Sequence, residues 1–370
     1  VVCYAFDDGP VQTWIPGQPF PEALRQHIQS GGQVRAHNAA FERVVLNGPA
    51  GQRYGFPHLK IEQMVCTMAK MAAHGLPHAL ENAADALGTH PKNAAGANDM
   101  RYLCKRRADG TRPTPADEPE RFLRLYAYCV DDVEAERGID RVVPDLSPNE
   151  QKVWELDQRM NDRGWKVDLE SIGNAQFLID QYKAELSSEC KRITGLSISQ
   201  TGKLADWCRD NGYLQLTDLQ VGTVNAAVAD PDCPTIVKKV LSLFSTHNMK
   251  AVTKYDSMAR AAGADGRLRG MFTYHGANTG RWSSKIVQLQ NLYRPKIDDP
   301  ETAVEAFRAR DLQWLRSLYD VGPMKVLASC VRSVLVAEEG HDLLFFDYAA
   351  IEARVNAWLW GEHWKLDAYR

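Results

Sequence analysis

Residues 343–361 read LLFFDYAAIEARVNAWLWG, and the rest of the chain is organised around this stretch. Residues 343–346 are all apolar and Asp347 follows, the pattern of a short buried strand that ends in a charge. Beyond it Ile351, Val355, Leu359 and, one step off, Trp358 recur at three- and four-residue spacing, which marks one face of a helix. Asp347 is therefore expected where a strand opens into a helix, with Glu352 near the start of that helix. A carboxylate on a rigid strand end suits a divalent cation. A helix-capping Asp fits the same residues equally well.

The chain has 370 residues, enough for two or three domains, and a formal net charge of -3. Apolar residues make up 44% and charged residues 25%, ordinary values for a globular protein and far from a disordered or fibrous composition. No run approaches the roughly 20 apolar residues that span a bilayer. The cysteines are scattered, with no CxxC pair, and read as reduced thiols of an intracellular protein. Nearly balanced charge argues against wholesale wrapping of nucleic acid and leaves room for a local basic groove.

Residues 1–145 alternate strand and helix signals. Strands are expected at 1–6 and 11–15 around the turn Asp7-Asp8-Gly9-Pro10, and a helix at 20–30 stopped by Gly31-Gly32. A strand at 34–36 then runs into His37-Asn38, and a helix at 39–46 carries Glu42. This predicts an α/β domain with a central sheet. A strand at 59–65 and helices at 68–72 and 80–87 continue the pattern. Cys66, His74 and His78 form only a loose metal trio with no fourth ligand at sensible spacing. Residues 89–117 read as a basic loop with Lys105, Arg106 and Arg107, suited to a phosphate backbone or simply to water. A long helix follows at 118–137. On it Tyr128 and Asp132 lie four apart, hence on one face, where a phenol beside a carboxylate can orient a metal-held water; such pairs also occur without function.

Pro144 and Pro148 mark a boundary. A helix at 150–163 starts after Ser147-Pro148-Asn149 and stops at Gly164, and Asp168 is expected to cap a helix at 169–193. Further helical patches at 204–209, 221–228 and 235–254 make this region all-helical. Lys238, Lys239, Lys250 and Lys254 recur along its last helices, a basic face for a duplex backbone or a solvated one. A strand at 267–273 leads into YHGANTGRWSS at 274–284 and VQLQNLYRP at 287–295. Arg281, Gln288, Gln290 and Asn291 are groups that hydrogen-bond in a minor groove, or ordinary loop residues. Helices at 311–320 and 324–335 precede the Asp347 stretch.

Three motifs together resemble the family A DNA polymerases, the bacterial polymerase I type, in its phage replicative branch. They are Thr279-Gly280-Arg281-Trp282-Ser283-Ser284 with Leu289-Gln290-Asn291-Leu292; Asp347-Tyr348-Ala349-Ala350-Ile351-Glu352-Ala353-Arg354; and His37-Asn38-Ala39-Ala40-Phe41-Glu42 with Tyr128-x-x-x-Asp132. The last is similar to the second and third motifs of DnaQ-like 3′–5′ proofreading exonucleases. The resemblance implies an α/β, ribonuclease H-like exonuclease domain at 1–145 and the start of a polymerase domain at 146–168. It implies a helical thumb at 169–257, inserted into an α+β palm at 258–370.

By position, Asp347 resembles the first palm carboxylate, holding both Mg²⁺ ions with help from the Tyr348 carbonyl, and Glu352 the steric gate against ribonucleotides. Arg281, Gln290, Asn291 and Arg354 would meet primer-template DNA near the primer end, and Lys250 and Lys254 the duplex backbone. Asp132 and Glu42 would bind two divalent ions of the exonuclease, with Tyr128 orienting the attacking water; Glu42 stands where the family usually has Asp. The implied partners are primer-template DNA and deoxynucleoside triphosphates, with any processivity factor unspecified. The reading is of a monomer without a membrane anchor, in the cytoplasm of a phage-infected bacterium. The first exonuclease motif, the fingers helix and the second palm carboxylates are expected outside residues 1–370, so the resemblance also implies a cropped chain. The alternative is a catalytically incomplete, DNA-binding or accessory relative that keeps the fold.

Overall fold

A computed structural model describes residues 1–89 and 94–369. The basic segment expected at 89–117 thus includes four residues outside the description. In chain order the elements begin with β1 (Val2–Tyr4), β2 (Gln12–Trp14), α1 (Glu22–Gln29), β3 (Val34–Ala36), α2 (Ala39–Asn47) and α3 (Pro49–Arg53). They continue with β4 (Met64–Cys66), α4 (Thr67–Ala73), α5 (Leu80–Leu87), α6 (Ala94–Cys104), α7 (Pro119–Val142) and α8 (Pro148–Arg163). The middle of the chain holds β5 (Trp165–Lys166), α9 (Leu169–Thr194), α10 (Thr201–Asp210), α11 (Val221–Ala229), α12 (Thr235–His247) and α13 (Thr253–Ala261). The last part holds β6 (Arg267–Leu268), β7 (Phe272–Thr273), β8 (Ser283–Ser284), α14 (Pro300–Ala309), α15 (Leu312–Leu318), α16 (Pro323–Ser329), α17 (Ile351–Leu359) and α18 (His363–Asp367). The protein is mostly helical with small, scattered sheets.

The elements form two compact units. One contains residues 1–164 and 256–293, the other residues 165–255 and 294–369. In the first unit β1 and β2 pair antiparallel, with Val2 opposite Trp14. The turn between them is closed by the Gly9 N–H donating to the Phe6 carbonyl at 2.8 Å. β3 and β4 pair parallel, Val34 with Met64 and Ala36 with Cys66, and the chain crosses over through α2 and α3. The central sheet expected for residues 1–145 is thus two separate two-stranded pieces. The signal at 59–65 yields strand only at its end, because residues 61–63 wind into a single 3₁₀ turn before β4. Leu24, Ile28, Ala39, Leu59 and Met64 pack with Trp154 of α8 and Tyr274, so the helix after residue 146 shares this core. Met71, Ala83, Ala84, Ile139 and Val143 form a second cluster under α7.

Local chemistry sets the helix ends. The Ser147 hydroxyl accepts from the Glu150 N–H at 3.2 Å and caps α8, which Gly164 ends at φ +68°. A Cβ at Gly164 would lie 2.6 Å from the Leu268 carbonyl oxygen, so a side chain is excluded there on two counts.

The second unit is built around α9, capped by Asp168, whose carboxylate accepts from the Ser171 N–H at 3.0 Å. Leu204, Leu216, Val237, Val240 and Leu241 fill an apolar cluster in it. The single helix expected over 235–254 is broken: Asn248 ends α12 by donating from both backbone and side chain to the Phe244 carbonyl, and α13 starts afresh. The strand expected at 343–346 is absent. Leu344, Phe345 and Phe346 are irregular and 75%, 81% and 91% exposed. A strand exists only through its hydrogen-bonded neighbour, and among the described residues none pairs with this segment. The helix after it forms as expected, as α17.

Candidate functional site

The acidic candidates of the first unit converge on α7. His37 ends the β3 segment, and its ring bridges two neighbours: Nε2 lies 2.8 Å from the His78 carbonyl and Nδ1 lies 3.0 Å from the Thr67 hydroxyl. Asn38 then takes the left-handed conformation, φ +67°, and α2 begins. Glu42 falls in its first turn. One of its carboxylate oxygens is buried with no hydrogen-bond partner. Burial pushes the Glu42 carboxyl up to about 7.

Tyr128 is buried on α7 at 5% exposure. Gly96 of α6 lies so close to its ring that a Cβ there would sit 2.4 Å from the ring carbons. Asp132 follows one turn later. Glu136, one further turn on, was not singled out from the sequence. It accepts a hydrogen bond from the His37 backbone, and burial, then the charges of Glu42, Asp140 and Asp132, raise its carboxyl to about 8. The i, i+4 spacing that paired Tyr128 with Asp132 also reaches Glu136 and Asp140, so the signal was present in the sequence. Glu136 thus lies close enough to Glu42, Asp132 and Asp140 to feel their charges.

The far end of this face is neutralised. Asp140 and Asp145 accept from Lys70, only 1% exposed, at 2.6 and 2.8 Å, and both also accept from Arg35. The Arg35 and Lys70 hydrogen bonds hold the Asp145 carboxyl well below the usual range. At the other end the buried Glu42 carboxylate adds a hard oxygen donor near Glu136. Such donors suit Mg²⁺, and the orphaned Glu42 oxygen is what a cation would satisfy. Among the described residues no three His, Cys, Asp or Glu side chains form a ready-made metal cage.

In the same unit a hairpin presents Arg281. β7 and β8 pair antiparallel, Phe272 with Ser284 and Thr273 with Ser283. The loop closes through the Ala277 N–H to the Arg281 carbonyl at 3.1 Å and the Gly280 N–H to the Ala277 carbonyl at 2.9 Å. A Cβ at Gly276 would lie 1.9 Å from the Ser283 hydroxyl, so this crossing requires glycine. Arg281 is exposed, as are Gln290 and Asn291 in the 3₁₀ turn Leu289–Asn291. The Ser284 hydroxyl bonds to Gln290 and the Lys285 N–H donates to the Met271 carbonyl at 2.8 Å, so hairpin and turn are tied together. The structure brings these three predicted residues onto one local surface.

The remaining candidates lie in the second unit. Asp347 and Tyr348 are exposed in the irregular segment before α17, and Glu352 is exposed in its first turn. Ala350 is left-handed at φ +52° and marks the sharp entry to the helix. The Arg354 guanidinium donates to the Ala349 carbonyl at 2.8 Å and the Tyr369 carbonyl at 3.0 Å, and stacks over the Tyr369 ring at 4.6 Å. Lys250 is exposed in the 3₁₀ turn Lys250–Val252, and Lys254 is half-buried at the start of α13. Lys239 is instead paired with Glu189 at 2.6 Å. Among the described residues no helix is long and apolar enough to cross a membrane.

No family model matches the chain. A curated relative described as a DNA polymerase of Bacillus phage SP02 is 34% identical over 380 residues, an alignment that takes in 99% of this chain and 57% of the relative. The chain therefore spans little more than half the length of that relative, to which it is homologous. Among solved structures, the POL domain of Pol1 from M. smegmatis, in complex with DNA primer-template and dNTP, is similar at a TM-score of 0.49 and 16% identity, covering 91% of this chain and 51% of that one.

Proposed function

We propose that the chain is part of a family A DNA polymerase that extends a primer 3′-OH by phosphoryl transfer from deoxynucleoside triphosphates, and that it carries a 3′–5′ proofreading exonuclease. The observation that carries this is the 34% identity, over almost the whole chain, to a phage DNA polymerase. The motifs around Arg281, Asp347 and Asp132 agree with it.

In this reading Asp347 and the Tyr348 carbonyl would hold Mg²⁺, being hard oxygen donors exposed at the entry to a helix. Bound Mg²⁺ supplies charge neutralisation at the reacting phosphate and lowers the pKa of the attacking hydroxyl. Glu352, in the first turn after Asp347, limits the space beside the sugar 2′ position. Arg281, Gln290 and Asn291 grip primer-template DNA, while Lys250 and Lys254 contact its phosphates and Arg354 lies beside the primer end. In the exonuclease Glu42 and Asp132 would hold the divalent ions, and Tyr128 orients the water that cleaves the terminal phosphodiester. The enzyme works as a monomer in the cytoplasm of an infected bacterium.

The test uses the full-length gene product with Mg²⁺ and a labelled primer-template. Extension with all four deoxynucleotides, and shortening without them that Asp132→Ala abolishes, supports both activities. Extension without shortening removes the exonuclease. Tight primer-template binding with neither reaction leaves the second reading, a DNA-binding relative without catalysis.

A further inference from the structure

One face of α8 is spent on holding the Arg281 hairpin. Glu150, Asp157 and Asn161 are spaced by seven and four residues, so they form one stripe along the helix. The Tyr274 hydroxyl donates to Glu150 at 2.6 Å. The Trp282 indole N–H donates to Asp157 at 2.8 Å. Asn161 grips Phe272 from both sides, its Oδ1 accepting the Phe272 N–H at 2.8 Å and its Nδ2 donating to the Phe272 carbonyl at 3.2 Å. Strand β7, the entry into the loop and Trp282 just before β8 are therefore pinned to one helix by side-chain hydrogen bonds.

Asp157 is the costly member of the stripe. It is 2% exposed, and a buried carboxylate needs several donors to offset lost hydration. It has three: Trp282, Asn161 at 3.2 Å and Gln158 at 3.0 Å. Burial still leaves its carboxyl above the usual range. An apolar residue here would pack without that cost, but it would leave the indole N–H without an acceptor. What the carboxylate fixes is Trp282, whose ring stands edge-on to Tyr274 and remains 39% exposed beside Arg281.

We propose that Asp157 is a positioning residue: through Trp282 it sets the Arg281 loop in the orientation that binds primer-template DNA. This rests on the polymerase reading above. Trp282 and Asp157 then act as one unit with Arg281, and their substitutions are not additive.

The experiment measures binding of a fluorescent primer-template to the full-length gene product by anisotropy, across a salt series. Its variants are Asp157→Leu, Trp282→Phe, Arg281→Ala and the double changes. Trp282→Phe keeps an aromatic ring while removing the N–H with the five-membered ring, so it stays informative should Asp157→Leu fail to fold. The expected result is a loss of about tenfold in affinity for each single change, with the same shift in salt slope in all three. Adding Arg281→Ala to Trp282→Phe or Asp157→Leu then costs nothing further. Full affinity in Trp282→Phe and Asp157→Leu, or losses that multiply with Arg281→Ala, overturns the positioning role alone. Absence of binding by the unaltered full-length protein overturns the polymerase reading and this inference with it.

Discussion

Glu136→Gln should stabilise the metal-free protein, and by more at alkaline than at acidic pH. Glu136 titrates near 8 in the folded chain, against an ordinary value of 4.5, because it is buried beside Glu42, Asp140 and Asp132. Its folded pKa is thus raised above its unfolded one. Between those values the folded state keeps a proton that the unfolded state has released. The associated stability is complete below pH 4.5 and is lost as the pH climbs towards 8. The loss amounts to about 4 kcal/mol at pH 8 and about 1 kcal/mol at pH 5. Glutamine keeps an oxygen to accept the His37 backbone N–H and carries no charge at any pH. The variant should therefore gain about 3 kcal/mol more over the native protein at pH 8 than at pH 5. Urea unfolding followed by tryptophan fluorescence, at both pH values and without divalent cations, measures the difference. A stability change of the same size at both pH values, or a destabilisation at pH 8, refutes the acidic cluster as drawn.

Other outcomes follow from the same geometry. Lys70→Met leaves Asp140 and Asp145 with Arg35 alone and should cost about 3–5 kcal/mol in urea unfolding at neutral pH. Because the Asp145 carboxyl is depressed, its pairing stabilises above the ordinary carboxylate range and is lost as the pH falls, so the gap between variant and native protein should shrink in acid. Gly96→Ala would gain about 1 kcal/mol as a helix substitution, but its Cβ would meet the Tyr128 ring at 2.4 Å; a lowered melting temperature is expected, and an unchanged one means α6 does not cover Tyr128. Glu352→Ala in the full-length gene product should raise ribonucleotide incorporation relative to deoxynucleotide incorporation, measured by single-nucleotide extension. An unchanged ratio removes its gating role.

The long helices were legible because their caps are local. Ser147 and Asp168 signalled α8 and α9 by residue type alone, and Gly164 marked a stop that the positive φ explains. The strand at 343–346 was not recoverable in the same way, since apolar residues record a wish for burial while pairing depends on a partner segment. The central sheet failed for a related reason: each short strand signal found one neighbour and no more. α14 was missed although Asp299-Pro300 is a standard start, the Asp299 carboxylate accepting from the Glu301 and Thr302 N–H groups. At the site, motif order singled out Glu42, Tyr128 and Asp132. The third carboxylate of the group, Glu136, lay on the spacing already in use. The α8 stripe was invisible because its partners are more than a hundred residues away in sequence.

In the proposed function Asp347 belongs to a polymerase active site. Single-nucleotide incorporation by the full-length gene product, under single-turnover conditions with Mg²⁺, tests it against Asp347→Ala. In the proposed function Asp347 holds Mg²⁺, and loss of such a carboxylate removes several kcal/mol of transition-state stabilisation, so the rate should fall by about 10³-fold or more while primer-template affinity is retained. Equal incorporation rates in the two proteins would exclude Asp347 from the reaction.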